Sequence, residues 1–340
     1  MPSDRSSSKK KKAALDKIEN QLIENQFRIG KQIGAGSYGQ VRIGYDTKTK
    51  TPVAMKFEAL DTDSQLKSEY DIYALIQEKA ECKKGFPQAY YFGKFQQYQV
   101  LIMELLGQNL ETVFENCGRR FSLKTLIFVT LQLLKRFETL HSLHIVFRDV
   151  KPENFVLGSE TNTIYIIDFG LSKFFVDSNG RHLPYQVTNE YIGTARYMSI
   201  NAHNCREQGR RDDLEALGYV FVYFIRGGKL PWSGVRVATF KEHNKVVLTM
   251  KKTIPEEDLC AGAPEEFLFY MKYVRFLEFD AAPCYMRLRN TFKRLFQRHN
   301  FQDNGTYDWN LISGKQGAAI SNSHKVEQYH TKTEQESNKN

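Results

Sequence analysis

"LHIVFRDVKPENFVLG", residues 143–158, places Arg148, Asp149, Lys151, Glu153 and Asn154 inside an otherwise apolar run. An apolar run of this kind is core material, and charge left unpaired in a core is costly. Charge at this density therefore answers to a ligand or a reaction. Fourteen residues after Asn154 a second short run, Ile164 to Ile167, delivers Asp168-Phe169-Gly170. A carboxylate, a cation and a hard-oxygen amide within six residues, followed by another carboxylate at a strand end, form a set suited to handling phosphate.

Upstream, two β-type runs, Phe27 to Ile33 and Gln40 to Tyr45, flank Gly34-Ala35-Gly36-Ser37-Tyr38-Gly39, with Val41 following. Alone, G-x-G-x-x-G is weak evidence, because dinucleotide folds use it too. There it opens a helix; here it is followed by a second strand, as in a hairpin flap over phosphates. Without side chains the glycines let backbone N–H groups approach phosphate oxygens. Val53-Ala54-Met55-Lys56 comes next, with Lys56 seventeen residues after Gly39. Lys56 is the expected cation for the α- and β-phosphates, and Glu69, on a helix expected over Ser64 to Lys79, its partner.

Around these motifs the pattern changes character. Up to about residue 106 it reads as five strands (Pro52 to Phe57, Ala89 to Phe95 and Gln99 to Leu105 complete the set) and one helix. After Gly107 it is mainly helical. Ser122 is a good N-cap for a helix carrying Leu123, Leu126, Leu133, Phe137 and Leu140 and ending near His141. A second helix, through Leu214, Leu217, Phe221 and Phe224, stops at Gly227-Gly228, and others are expected around Pro264 to Leu277 and Tyr285 to Phe296. Leu15, Ile18 and Leu22 sit at helical spacing in a basic arm, residues 1–26. Residues 312–340 read as a disordered polar tail.

The 340 residues carry a net charge of +9, of which Arg5 and Lys9 to Lys12, less Asp4, supply four. That run is either a solvated arm or a nuclear-import or anionic-surface signal. The five cysteines are dispersed, without a C-x-x-C pair, as expected of reduced intracellular thiols. The longest apolar stretch, Ala216 to Ile225, is about half a bilayer span, and no signal h-region, N-terminal myristoylation glycine or prenylatable cysteine is read. A monomer in the cytoplasm, with the nucleus open to it, is the expectation.

Arg148 to Asn154 follows the R-D-x-x-x-x-N spacing of the protein-kinase catalytic loop. RDVKPENF (148–155), IIDFGLSK (166–173), GTARYMSIN (193–201), REQGRRDDLEALG (206–218), LPWSG (230–234) and YDWN (307–310) make the chain resemble a eukaryotic protein kinase, and more closely the casein kinase 1 family. The resemblance covers residues 27–311 and implies an α+β, bilobal fold: a small β-rich N-lobe (27–106) and a larger α-helical C-lobe (107–311). It implies a Ser/Thr kinase using ATP and Mg²⁺. Asp149 accepts the hydroxyl proton, Lys151 offsets γ-phosphoryl charge, and Asn154 and Asp168 hold the metal. Ile33, the glycine turn, Val41, Ala54, Lys56 and Glu69 belong to the ATP site, with Met103 as gatekeeper and Glu104 and Leu106 backbone groups on adenine. Asp213 anchors the catalytic loop.

Ser199-Ile200-Asn201 stands where other kinases have A-P-E. Ala263-Pro264-Glu265 lies 95 residues past Asp168, too far to close an activation segment, and reads as a helix start. Phe147 replaces the usual His, as in the gamma branch of the family, and is expected to pack beside Phe169 without touching the chemistry. The resemblance further implies acidic or phosphate-primed protein substrates and constitutive activity. Arg196 is the expected phosphate ligand, its planar fork matching the anion, with Lys241 as the second and Arg206, Arg210, Arg211 and Lys245 nearby. Structural ion pairs are the other reading of the arginines. A pseudokinase scaffold and a nucleic-acid binder are the alternatives; all four key residues (Lys56, Asp149, Asn154, Asp168) speak against the first, and no RNP, zinc or helix-turn-helix signature supports the second.

Overall fold

Val53, Met55 and Phe57 are buried while Ala54 and Lys56 between them are not, the period of two that makes a half-buried strand. That strand, β4 (Thr51–Ala59), lies in an antiparallel sheet with β1 (Leu22–Ile23), β2 (Phe27–Ala35), β3 (Gly39–Asp46), β5 (Ala89–Phe95) and β6 (Tyr98–Glu104), in the order β1-β2-β3-β4-β6-β5. Its inner face joins Ile23, Phe27, Ile29, Val100 and Ile102 in one apolar cluster. The computed structural model describes residues 18–35, 39–60 and 64–313. Gly36, Ser37 and Tyr38, the arm to residue 17 and the tail from residue 314 lie outside the described residues.

Leu22 is not helical. Ile18 ends in a turn whose carbonyl accepts from Gln21 N (3.2 Å), and Leu22–Ile23 pairs with Phe27 and Arg28. Ile23 is buried while Leu22 is 42% exposed. Across Ile18 and Leu22 the helical spacing is thus overridden by strand pairing; Leu15 lies outside the described residues.

The chain divides into two compact units, one holding the sheet, the other residues 71–86 and 107–312. The boundary differs from the expected lobe limits: α1 (Leu66–Lys79) carries Glu69 in the first unit, but from Asp71 onward its residues group with the second. The cause is local packing. Tyr73 lies edge-on to Phe169 at 4.9 Å, and Gly85 O accepts from Ile166 N at 2.9 Å.

In the second unit, α2 (Leu110–Asn116) precedes α3 (Leu123–Ser142), whose N-cap Ser122 accepts from Thr125 N at 3.3 Å. The short pairs β7 (Ile145–Val146) with β10 (Lys173–Phe174), and β8 (Phe155–Leu157) with β9 (Ile164–Ile166), frame the catalytic loop. Then follow α4 (Ile200–His203), α5 (Arg210–Ile225), α6 (Phe240–Thr253), α7 (Glu256–Leu259), α8 (Glu265–Phe276), α9 (Tyr285–Arg298) and α10 (Asp308–Ser313). Pro264 caps α8 as expected of a helix start. α6 has no counterpart in the sequence reading. Among the described residues no helix is long and apolar enough to cross a membrane.

Candidate active site

The sheet sorts its residues by register. Gly34 pairs with Val41, Val41 with Lys56, Lys56 with Leu101, and Ala54 with Met103, so these share the face opposite the apolar cluster. Lys56 Nζ donates to Glu69 Oε2 at 2.7 Å, as the sequence predicts, and Glu58 Oε1 lies 3.9 Å from the same amine. Glu69 is buried, and the partly exposed lysine satisfies it. Ile33 is 56% exposed. Glu104 N donates to Gln88 O at 2.8 Å, so its N–H is already taken.

In the second unit, Arg148 takes φ 68°, a left-handed conformation in the catalytic loop. Phe147 N and Arg148 N both donate to Asp213, at 2.7 and 2.8 Å, and His141 Nε2 lies 2.9 Å from the same carboxylate. Asp213 holds the loop through its backbone, as expected. Phe147 is fully buried, 5.5 Å edge-on to Phe169 and 6.1 Å from Phe137. It fills an aromatic slot and offers no proton.

Asp149 is nearly buried, and its carboxylate is placed by three donors: Lys151 Nζ at 2.5 Å, Asn154 Nδ2 at 3.2 Å and Thr194 Oγ1 at 2.8 Å. Asn154 Nδ2 also donates to Asp149 O at 2.9 Å, which fixes the amide and assigns its oxygen to the other side. Asn154 O accepts from Ile167 N at 3.0 Å, bringing Asn154 beside Asp168, whose N–H donates to Tyr73 Oη at 3.1 Å and whose φ is 68°. A carboxylate and an amide oxygen are hard donors. They fit Mg²⁺, which keeps water and phosphate oxygens in the rest of its shell.

Next to Asp149 a pocket of about 340 Å³ is lined by Glu153, Thr194, Arg196, Trp232, Gly234 and His243 among others. Arg196 is there, as expected, its guanidinium 5.8 Å from the Tyr223 ring. Lys241 is not: it stands exposed on α6, and His243, two residues on, lines the pocket instead. The helical turn carries position 241 away from the face that position 243 presents. Burial of Glu153 in this corner pushes its carboxyl above the usual range.

The other arginines are structural. Arg210 lies over the Phe175 ring at 4.6 Å and donates to Asp280 O; Arg211 Nη1 donates to Leu277 O at 2.8 Å; Arg206 covers Tyr185 at 5.5 Å. Ser199 Oγ and Asn201 Nδ2 both donate to Asp212 Oδ1, at 2.6 and 3.1 Å, tying the segment after Arg196 to α5. Desolvation lifts that buried carboxyl to about 6. Sequence reasoning named neither Asp212, Thr194 nor His243 in these roles; Thr194 stood inside a quoted motif, but nothing marked it as a partner of Asp149.

Residues 27–274 match the protein kinase domain family, and the two-unit α+β architecture is that fold. Among curated proteins of Schizosaccharomyces pombe, Casein kinase I homolog 1 is 42% identical over 305 residues, covering 88% of this chain and 67% of the relative. Casein kinase I homolog 3 is 43% identical over 318 residues (91% and 71%), and homolog 2 is 41% identical over 312 residues (90% and 71%). The chain belongs to the casein kinase 1 family of protein kinases.

Proposed function

We propose that this kinase transfers the γ-phosphoryl group of ATP to Ser or Thr hydroxyls of acidic or already phosphorylated proteins, without activation by phosphorylation of its own segment. The observation that carries the reading is the Asp149 carboxylate, aimed by Lys151, Asn154 and Thr194 in a nearly buried site. Asp149 orients the acceptor hydroxyl and takes its proton as the oxygen attacks phosphorus. Lys151, 2.5 Å from it, offers the cation that meets the charge of the transferring group. Lys56, held by Glu69, is assigned to the α- and β-phosphates. Asn154 and Asp168 would hold Mg²⁺, which supplies charge neutralisation on the phosphates when bound.

Arg196 supports recognition of a priming phosphate, and His243 takes the place proposed for Lys241 as the second basic side chain of that pocket. Independence from activation-segment phosphorylation rests on Arg148. Its Nε donates to Leu171 O at 2.5 Å, and the carboxylates of Glu207, Asp213 and Glu190 act on its charge. Glu207 also pairs with Lys173 at 2.9 Å. That guanidinium is already engaged by a backbone carbonyl and sits in the field of three carboxylates.

A peptide library with radiolabelled ATP tests this, comparing phosphorylated, acidic and neutral residues three places before the acceptor. Incorporation into Ser and Thr, strongest with the phosphorylated series and unchanged by phosphatase treatment of the kinase, is expected. Incorporation into tyrosine alone, or a preference for basic peptides, overturns it.

A further inference from the structure

Lys251 is 0% exposed, and the mechanism above does not use it. Its helix α6 turns Asn244, Val247 and Lys251 inward, and the lysine stem carries its amino group to the segment that follows Thr194. There Nζ donates to Ala195 O (3.1 Å) and Met198 O (2.7 Å) and lies 3.1 Å from His203 Nε2. The rings of Tyr219 and Trp232 cover it at 4.7 and 4.9 Å. His203 Nε2 itself lies 3.1 Å from Ala195 O, to which it donates, so the acceptors of the Lys251 amine are the two carbonyls, while aromatic faces shield it and burial pulls its pKa well below the ordinary lysine value. Trp232 Nε1 donates to Arg196 O at 2.8 Å. The carbonyls of residues 195, 196 and 198 are thus all held by side-chain donors.

What that segment carries explains why so costly a group sits beneath it. Thr194 Oγ1 reaches Asp149, Arg196 lines the pocket, and Gly193, at φ +108°, passes so near the catalytic loop that a Cβ would meet Arg148 O at 2.5 Å. Displacement of this stretch shifts the acceptor side relative to Asp149.

We propose that Lys251 is a positioning residue for the phosphoryl acceptor: by gripping the carbonyls of Ala195 and Met198 it fixes Thr194 and Arg196 against Asp149, and so sets how protein substrate, but not ATP, is bound. The inference rests on the kinase reading.

The test is Lys251→Met, which keeps the stem and removes the donors, with KM for a phosphorylated peptide and for ATP measured in the full chain and amide hydrogen exchange followed over residues 192–203. We expect the peptide KM to rise about tenfold or more, the ATP KM to stay within about twofold, and the amides of Tyr197 and Met198, both bonded to Thr194 O, to lose protection while α5 keeps its own. A folded variant with the wild-type peptide KM, or with both KM values raised alike, overturns the proposal. Should that variant not fold, Trp232→Phe removes the indole donor to Arg196 O while keeping an aromatic ring over Lys251 and in the pocket lining; a selective rise of about threefold in peptide KM is expected, and no change overturns the proposal. A wild-type chain that phosphorylates nothing would sink the kinase reading instead, and exchange at 197 and 198 would still decide whether Lys251 holds the segment.

Discussion

Two irregular stretches of the second unit meet at Asp149, and they are gripped by opposite ends of the peptide group. The catalytic loop is held by its N–H groups, which converge on the Asp213 carboxylate. The acceptor segment after Thr194 is held by its carbonyls, which converge on the Lys251 amine and the Trp232 indole. Neither stretch has a strand or helix partner for these groups, and buried backbone polar groups must find one. A buried carboxylate does it on one side, and a buried amine with an indole on the other. The contrast teaches that the loop's side chains are free to carry chemistry because its shape is set elsewhere.

The largest effect should come from the junction itself. Asp149→Asn retains an oxygen for Thr194 but takes no proton, so kcat should fall about 10³-fold or more, while ATP affinity and thermal midpoint stay near wild type. Near-normal turnover, followed with radiolabelled ATP, would refute the base assignment.

Acid should separate the two grips. Burial and the charge of Lys251 pull the His203 imidazole from its ordinary 6.5 down to about 3. Between those values the unfolded chain binds a proton there that the folded chain does not, so stability present above 6.5 is lost as the pH falls towards 3. The slope should reach about 1.4 kcal/mol per pH unit at most. Denaturant titrations of wild type and His203→Gln check this; equal slopes for the two proteins would count against it.

Phe147→His should do least. The loop is anchored through Phe147 N rather than its ring, so turnover should remain within about threefold, with a loss of about 1–2 kcal/mol for burying an imidazole among Phe137 and Phe169. A collapse of kcat would mean that the side chain, not the backbone, sets the loop.

What could be read in the sequence follows the same division. The catalytic loop, Asp168 and the Lys56–Glu69 pair were legible as motifs at fixed spacing along the chain, whereas Asp213 was reached only through the family resemblance. The support of the acceptor segment was not legible. α6 turns Asn244 and Lys251 inward beside Val247, whereas its Phe240 is 65% exposed, so no apolar stripe marks it. The signal it does carry is the capping box of Thr239 and Glu242, which announces a helix without its partner. His243 for Lys241 was lost likewise: which face of an unrecognised helix meets Arg196 is a tertiary fact. At Leu22 the error ran the other way, spacing without context.

An amine with no surface in contact with water cannot be acylated while its surroundings stay shut. Lys251 therefore acts as a built-in counter of openings: a reagent that modifies lysines should mark it only in the moments when residues 195–198 come away. Its labelling rate, set beside those of exposed lysines such as Lys241 on the same helix, would measure how often the kinase lets go of its acceptor platform.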